Sequence, residues 1–232
     1  MPLDGVILGR GIYSPREAAR LIGGTSQEVL RWTRGSGASD PIWRAHYQFL
    51  GDTTEISFLD MIELRVVRAL RLRDISLQAI KYAIALATEK FLVERPLSSL
   101  AFKTDGAEVL MDAVEHDGEL TSLSKRHPGQ KVFRKIVDQS VSGLEYDGNQ
   151  LARWRPTYAE HVVIDPTRTF GAPILDEVGI STGALHREWK VRPDFKRLSR
   201  AYEISVVLVR DAIDFEEYLN KIVGKNRGQS SV

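Results

Sequence analysis

Residues 13–32 read YSPREAARLIGGTSQEVLRW, a sequence with the start and stop signals of two short helices joined by a tight turn. Ser14 suits an N-cap, Pro15 suits the first helical position, and Glu17 completes a capping box. Gly23-Gly24 ends the first helix, and Thr25 or Ser26 can begin the second. The pattern predicts a helix-turn-helix, whose second helix can enter the major groove of DNA. A generic helical hairpin is the alternative.

The same signature is found again near the other end of the chain. Residues 198–205 read LSRAYEIS and are followed by a helical pattern from Val206 to Leu219. A further helix is expected just before them, from about Thr182 to Lys190. Two such signatures suggest a regulator that holds DNA with one end, and they leave open what the other end holds.

Composition limits the possible classes of protein. The chain has 232 residues, of which 43% are hydrophobic and 27% charged, enough for one large or two small soluble domains with a core. The formal net charge is +1, so DNA binding must depend on local basic patches. No apolar run approaches the roughly 20 residues of a membrane span. Without cysteine or the regions of a signal peptide in residues 1–11, the sequence favours a cytoplasmic protein.

The residues after the first helix pair predict a β-hairpin wing. Ile42–Leu50 is rich in aromatic and β-branched residues, Gly51-Asp52 is turn-like, and Glu55–Ser57 can pair back. Two helices should follow, over Phe58–Leu72 and Ser76–Phe91, because apolar residues recur there at helical spacing.

Residues 12–91 therefore resemble the DNA-binding domain of MerR-type regulators. The resemblance is carried by the opening Tyr-Ser-x-x-Glu-Ala-Ala-Arg-Leu, the second helix ending in Leu-Arg-Trp, the wing, and the Leu-Arg-x-Ile-Ser-Leu-x-x-Ile pattern of the second helix pair. The wing region, Ser36–Asp52, is longer than the compact wing of that family. The resemblance implies a winged helix-turn-helix that binds DNA.

The middle of the chain predicts a small strand-containing region. Hairpins are expected where Thr104–Ala107 separates Ala101–Lys103 from Glu108–Met111, and where Asp147–Asn149 separates Gly143–Tyr146 from Gln150–Trp154. A short helix is expected over Gly129–Ser140. At the far end, the polar residues 224–232 read as a disordered tail.

The last third, Val163–Tyr218, resembles a small domain family of toxin–antitoxin operons. It opens with a predicted strand over 161–164, and the matching residues are Asp165-Pro166, Phe170-Gly171-x-Pro173-Ile174, Leu198-x-x-x-Tyr202-x-Ile204-Ser205 and Val209-x-x-Ala212-Ile213-x-Phe215-Glu216. The chain departs from that family at residues 177–181, which read EVGIS where the family has Gly-Thr-Arg-Ile-Pro. Together with a MerR-like N-terminus, this domain is similar to long VapB-type antitoxins. That resemblance implies neutralisation of a PIN-domain ribonuclease toxin and repression of the protein's own operon.

Catalytic and metal-binding patterns are weak. Residues 179–183, GISTG, match a nucleophile elbow, but only His186 lies downstream as a base, so helix capping by Ser181 or Thr182 is the preferred interpretation. The five histidines show no metal-ligand spacing, and no glycine-rich phosphate loop occurs. The sequence predicts neither an enzyme, a cofactor nor a metal site.

Candidate contacts fall into three groups. Serine and threonine hydroxyls hold phosphates, while glutamine and arginine read base edges. The DNA-binding candidates are Thr25, Ser26, Gln27, Arg31 and Arg34 on the second helix and Arg44, His46 and Tyr47 on the wing. The toxin-binding candidates are Arg200, Arg210, Phe215 and Tyr218, although Phe215 and Tyr218 also suit a core. Trp32 fits either the core or the phosphate side of the helix. A second basic patch, either DNA-binding or merely solvated, comprises Lys125, Arg126, Lys131, Arg134 and Lys135.

The sequence thus predicts a mainly helical α+β protein with a MerR-like winged helix (residues 1–93), a strand-containing middle (94–158), an antitoxin-associated helix-turn-helix (159–223) and a tail (224–232). The expected function is an antitoxin that binds a PIN-domain ribonuclease and its own operator as a homodimer, with no membrane partner. The alternative is a stand-alone MerR-like regulator whose C-terminal domain senses a ligand or dimerises.

Overall fold

The computed structural model describes residues 8–37, 39–117 and 130–229. Within these ranges it contains nine α-helices, four short strands and two 3-10 turns, Gln48–Leu50 and Thr169–Gly171. The helices are α1 (Pro15–Ile22), α2 (Ser26–Arg34), α3 (Phe58–Arg71), α4 (Leu77–Phe91), α5 (Leu100–His116), α6 (Gln130–Ser140), α7 (Thr182–Val191), α8 (Phe195–Tyr202) and α9 (Val206–Gln229). The strands are β1 (Leu144–Asp147), β2 (Gln150–Trp154), β3 (Val162–Val163) and β4 (Ile174–Leu175).

The strands form two small antiparallel sheets, β1–β2 and β3–β4. Reciprocal backbone hydrogen bonds of 2.9 Å between Trp154 and Ile164 join them. The predicted class, α+β and mainly helical, is therefore confirmed. None of the helices in the described ranges is both long enough and apolar enough to cross a lipid bilayer.

The first helix pair has the caps that the sequence predicts. The Ser14 hydroxyl accepts from the Glu17 amide, and the Glu17 carboxylate accepts from the Ser14 amide at 2.9 Å. Thr25 and Glu28 repeat this reciprocal arrangement at the start of α2. Gly23 ends α1 with a φ of 70°, a left-handed conformation that glycine adopts without steric cost. Local sequence alone thus defines both helices and the turn between them.

Helix α3 lies at the centre of one continuous core. Its buried side chains cover almost its whole circumference, which is typical of an internal helix. It packs against α1, α4 and α6, so it connects the N-terminal helix pair to the middle of the chain. The same core extends from Tyr13 to Leu219.

The hairpin predicted around Thr104–Ala107 is wrong, because this stretch lies inside α5. The Ser99 hydroxyl caps the helix by accepting from the Phe102 amide. Buried Phe102, Val109 and Ala113 recur at helical spacing, and a Cβ on Gly106 would come within 2.8 Å of the Phe102 ring. Gly106 therefore gives room to an aromatic side chain rather than forming a turn.

Other expectations for the middle are confirmed. The hairpin at 144–154 forms, with Asp147 paired to Gln150 and a positive φ of 56° at Gly148 in the turn. The short helix expected over Gly129–Ser140 is α6.

The prediction of a β-hairpin wing is also wrong. Within 42–57 the structure has the 3-10 turn Gln48–Leu50 and no strand, and Ile56 pairs instead with Tyr13. The cause is a buried carboxylate, Asp60, which accepts hydrogen bonds from Trp43 Nε1 at 3.0 Å and from the His46 amide at 2.9 Å. The Trp43 side chain and the His46 backbone, which lie in the stretch predicted as a strand, are thereby held against α3.

The C-terminal elements follow the predicted order. Strand β3 lies within the expected stretch, α7 covers the expected helix, and α8 and α9 form the second helix pair. Helix α9 continues to Gln229, so residues 224–229, expected as a disordered tail, are helical. Residues 230–232, together with the predicted basic residues Lys125 and Arg126, lie outside the described ranges.

Glu63, one turn after Asp60, is a buried carboxyl group. Its Oε1 accepts a hydrogen bond from the Ser98 amide at 2.6 Å. Burial nevertheless dominates and raises its pKa from an ordinary 4.5 to about 7. The protein therefore keeps a proton on Glu63 at mildly acidic pH that the unfolded chain has already lost.

We expect this proton to make stability depend on pH. Between pH 4.5 and 7 the folded state holds one more proton at Glu63 than the unfolded state, so its contribution to the free energy of unfolding falls as pH rises and is constant above pH 7. Glu63→Gln should remove this slope and, at pH 8, stabilise the protein by about 3 kcal/mol. Urea unfolding from pH 4.5 to 8 measures both. Glu89→Gln, on the exposed side of α4, is the control and should keep the wild-type slope.

Candidate nucleic-acid and protein interfaces

Helix α2 presents a polar face to solvent. Gln27, Arg31 and Arg34 are exposed and lie at i, i+4 and i+7, which places them on one side of the helix. The opposite side is buried and includes Trp32, which is a core residue rather than a surface one. The structure thus brings three of the predicted DNA-binding residues together on one accessible surface.

The two arginines of this face differ in their partners. Arg34 donates to the carbonyl oxygen of Thr53 at 2.7 Å and pairs with the exposed carboxylate of Asp52 at 3.1 Å. Arg31 makes no ion pair within the described part of the chain, and its guanidinium carbon lies 6.0 Å from the centre of the Trp32 ring. Arg31 is consequently the cation of this face that is most available to an incoming anion.

Thr25 and Ser26 have a smaller role than expected. The Thr25 hydroxyl accepts from the Glu28 amide at 3.1 Å and lies 3.2 Å from the Glu28 carboxylate, so capping already occupies it. Ser26 is half-buried in the first turn. Both residues position α2, and a phosphate contact by Thr25 would compete with its cap.

The segment predicted as a wing separates into exposed and buried residues. Arg44 is exposed, whereas His46 is half-buried, is hydrogen-bonded to Ser57 Oγ at 2.7 Å, and has its pKa lowered by burial. Tyr47 is only 2% exposed, its hydroxyl donates to the Gly11 carbonyl oxygen at 2.5 Å, and burial raises its pKa to about 12. The prediction that Tyr47 contacts DNA is therefore wrong, because this ring anchors the segment to the core.

Sequence reasoning missed Arg10 in this region. Arg10 is exposed and lines a cavity of about 640 Å³ together with Arg44, His46 and Phe49. Nothing in the sequence around Arg10 has a helical or strand pattern. Only the fold, through the hydrogen bond from the Phe58 amide to the Arg10 carbonyl oxygen, brings it beside the 44–49 segment.

The predicted toxin-binding residues also include both exposed and buried side chains. Arg200 and Arg210 are exposed, and the Arg210 guanidinium lies 5.5 Å from the centre of the Phe195 ring. Tyr218 is 43% exposed and its ring centre lies 4.1 Å from that of Tyr158. Phe215 is only 1% exposed, so the prediction that it faces a partner is wrong. It is a core residue, as the alternative interpretation held.

The outward side of α9 differs in charge from that of α2. Asp214 is exposed, and Asp211 and Glu217 are half-buried beside Arg210. Carboxylates at these positions would repel a phosphate backbone. This surface is better suited to a protein than to DNA.

The serine of the elbow-like motif acts as a helix cap. Ser181 Oγ accepts from the Ala184 amide at 3.3 Å, at the start of α7. His186 Nε2 instead lies 2.6 Å from Glu217 Oε1, a hydrogen bond that lowers the pKa of Glu217. Within the described ranges no three or more histidine, aspartate or glutamate side chains are grouped to hold a metal ion.

The second basic patch is partly structural. Arg134 donates to the Thr104 carbonyl oxygen at 2.5 Å and pairs with Asp138 at 3.4 Å, while Lys131 and Lys135 are exposed. Arg134 therefore helps to fix α6 against α5.

The two helix pairs meet at a polar junction. Arg20 of α1 pairs with Glu216 of α9 at 2.6 Å and also donates to Asn220 Oδ1 at 3.1 Å. Glu216 is buried and accepts a second hydrogen bond, from the Thr182 hydroxyl, at 2.5 Å. Nearby, the Tyr13 hydroxyl donates to the Gly171 carbonyl oxygen. These bonds fix α1 against the C-terminal elements.

We expect this junction to contribute measurably to stability. Arg20→Ala leaves the buried Glu216 charge without its cation and should cost about 2 kcal/mol, below the full cost for a buried pair because the Arg20 side chain is 29% exposed. The loss should shrink when Arg20→Ala is made in a Glu216→Gln background. Urea unfolding measures both, and the exposed Arg16→Ala on the same helix is the control. Equal losses in the two backgrounds would show that the ion pair contributes nothing.

This chain is similar to known proteins over most of its length. No protein-family model matches the chain. It is 25% identical over 222 residues, 88% of this chain and 92% of the other, to a Mycobacterium tuberculosis protein named "Putative antitoxin VapB45". It shares its fold with the crystal structure of Rv2018 from M. tuberculosis, with a TM-score of 0.65, 22% sequence identity, and coverage of 87% of this chain and 96% of that one. The chain is thus similar, over most of its length, to a protein with an antitoxin's name.

Proposed function

We propose that this protein is an antitoxin that binds and inhibits a PIN-domain ribonuclease and represses its own operon by binding operator DNA. The observation that carries the proposal is the likeness over 88% of this chain and 92% of the protein named as antitoxin VapB45. Coverage of most of both chains supports a likeness of the whole proteins rather than of one short motif.

The N-terminal helix pair is the proposed DNA reader. Gln27 and Arg31 have side chains that read base edges, and both stand on an exposed face whose opposite side is fixed in the core. Arg34 and Arg44 would add contacts to the phosphate backbone. Protein–DNA affinity comes largely from such positioned cations, so a chain with a net charge of +1 can still bind DNA through this surface.

The C-terminal helix pair is the proposed partner-binding end. Its surface combines exposed Arg200 and Arg210 with the partly exposed rings of Tyr158 and Tyr218. Tyrosine and arginine are enriched among residues that dominate protein–protein interfaces. The carboxylates of α9 disfavour DNA and agree with a protein partner.

An antitoxin acts by binding and needs no catalytic group of its own. The capping role of Ser181 and the His186–Glu217 hydrogen bond agree with this assignment. A homodimer would present two copies of α2 to the two halves of a palindromic operator.

The direct test mixes the purified full-length protein with the purified product of the neighbouring gene, which this proposal requires to be a PIN-domain ribonuclease. We expect a stable complex on size-exclusion chromatography and loss of ribonuclease activity on an RNA substrate. A ribonuclease that stays fully active in excess of this protein would overturn the antitoxin role. It would leave a stand-alone DNA-binding regulator.

Arg31 separates the two proposed activities. Arg31→Ala should weaken operator binding about 5- to 100-fold, the range expected for losing one arginine–base contact, and should not alter inhibition of the ribonuclease. Fluorescence anisotropy with operator DNA and an RNA-cleavage assay measure the two effects. Arg192→Ala, which removes the same charge from an exposed position just after α7, should leave operator affinity unchanged. Loss of both activities in a folded Arg31→Ala variant would contradict the assignment of DNA binding and toxin binding to different helix pairs.

A further inference from the structure

A groove of about 450 Å³ follows the junction between the two helix pairs. Helix α1 forms one wall and the first turns of α7 form the other, while the turn at 169–173 makes the rim. Its lining includes apolar Ile12, Leu21 and Pro173. The groove is therefore bounded by both the proposed DNA-binding part and the proposed partner-binding part.

The rim turn is strained and displays an aromatic ring. Thr169, Phe170 and Gly171 have consecutive positive φ values of 45°, 55° and 85°. Left-handed backbone at a residue other than glycine is sterically unfavourable, and such residues cluster at functional sites. Phe170 is nevertheless 61% exposed, so its side chain gains little from packing within this chain.

Long-range contacts hold this turn in place. The Ile12 amide donates to the Phe170 carbonyl oxygen, and the Tyr13 hydroxyl donates to that of Gly171, each at 2.9 Å. A Cβ at Gly171 would overlap the Tyr13 hydroxyl, so only glycine fits there. The start of the DNA-binding part thus fixes the position of Phe170.

Two charged side chains of the groove have no ion-pair partner among the described residues, Arg187 and Glu17. Glu216 is paired with Arg20, whereas Glu17 accepts hydrogen bonds only from the neutral Ser14 amide and hydroxyl. Arg187 is exposed, and its Nη1 lies close to the first turn of α7, where a Cβ on Gly183 would stand 3.6 Å away. The cation that the groove offers to a partner is therefore Arg187.

We propose that this groove is where the toxin docks, through a segment that carries a carboxylate beside apolar residues. The carboxylate pairs with Arg187, and the Phe170 ring enters an apolar pocket of the partner. This inference rests on the proposed antitoxin function and assigns its partner-binding site. An exposed phenyl ring with a single cation, opposite the Glu17 carboxylate, suits a protein surface better than a phosphate backbone.

The site places the toxin against both parts of the antitoxin. Because α1 is a wall of the groove and packs directly on α2, a docked toxin touches the element that supports the DNA-reading face. The surface formed by Arg200, Arg210 and Tyr218 would then extend this interface rather than be its centre.

The test measures binding of the purified PIN-domain protein to full-length variants by isothermal titration calorimetry. Phe170→Asn removes the ring and keeps a residue that tolerates left-handed backbone, and Arg187→Glu reverses the charge of that cation. Each should weaken binding at least tenfold. The matched controls are Phe49→Asn, which removes a ring that is 65% exposed elsewhere, and Lys135→Glu on α6; both should bind as wild type.

The possible results distinguish a failure of the antitoxin function from a failure of the docking site alone. A wild-type protein that does not bind the PIN-domain protein overturns the antitoxin function and this site with it. Binding by the wild type and equal binding by both variants overturns the site alone. Variants that lose operator affinity but still bind the PIN-domain protein as wild type also overturn the docking site, since the groove would then be a DNA-binding surface. Circular dichroism checks folding, and if Phe170→Asn does not fold, the exposed Arg187→Glu decides the question by itself.

Discussion

The carboxylate of Glu216 determines how the two ends of this protein meet. It is buried, and in such a place a charge is tolerated only when a cation and hydrogen-bond donors surround it. Arg20 supplies the cation from α1, and Thr182 supplies a hydroxyl from α7. Three helices from distant parts of the chain are thereby held at one point. The orientation of α2 follows, since α2 packs directly on α1.

A second buried carboxylate, Asp60, shapes the N-terminal surface. Asp60 completes a capping box with Ser57, the N-cap of α3, and pairs with Arg95 at 3.0 Å. The Trp43 side chain and the His46 amide, from the segment before the helix, also donate to it. That segment consequently lies along α3 and leaves only Arg44 of the predicted wing residues fully exposed. The surfaces available to partners are therefore set by two internal carboxylates, each satisfied by groups far away in sequence.

The sequence predicted those features that depend on neighbouring residues. The capping box at Ser14 and a cap at Thr25 or Ser26 predicted the starts of α1 and α2, and Gln27, Arg31 and Arg34 were expected on the exposed side of α2, where the structure has them. The predictions that failed had both local and distant causes. Asp105-Gly106 resembled a turn, but it lies within α5, where the Phe102 ring one turn earlier occupies the space above Gly106. Tyr47 resembled a surface residue, but its hydroxyl donates to the carbonyl oxygen of Gly11, which is distant in sequence. Arg10 was not predicted, and Phe170 was noted only as part of a family motif, because tertiary contacts alone place these two side chains at a surface.

The Arg20–Glu216 pair also bears on how the protein is made. Its two residues are 196 positions apart, so during synthesis α1 leaves the ribosome long before its partner on α9 exists. Contacts of such high sequence separation form late and slowly. The helix pair proposed to read the operator is therefore fixed against α9 only after residue 216 has been translated. A nascent chain that ends before this residue lacks the contact, so synthesis of α9 must precede the final positioning of α1.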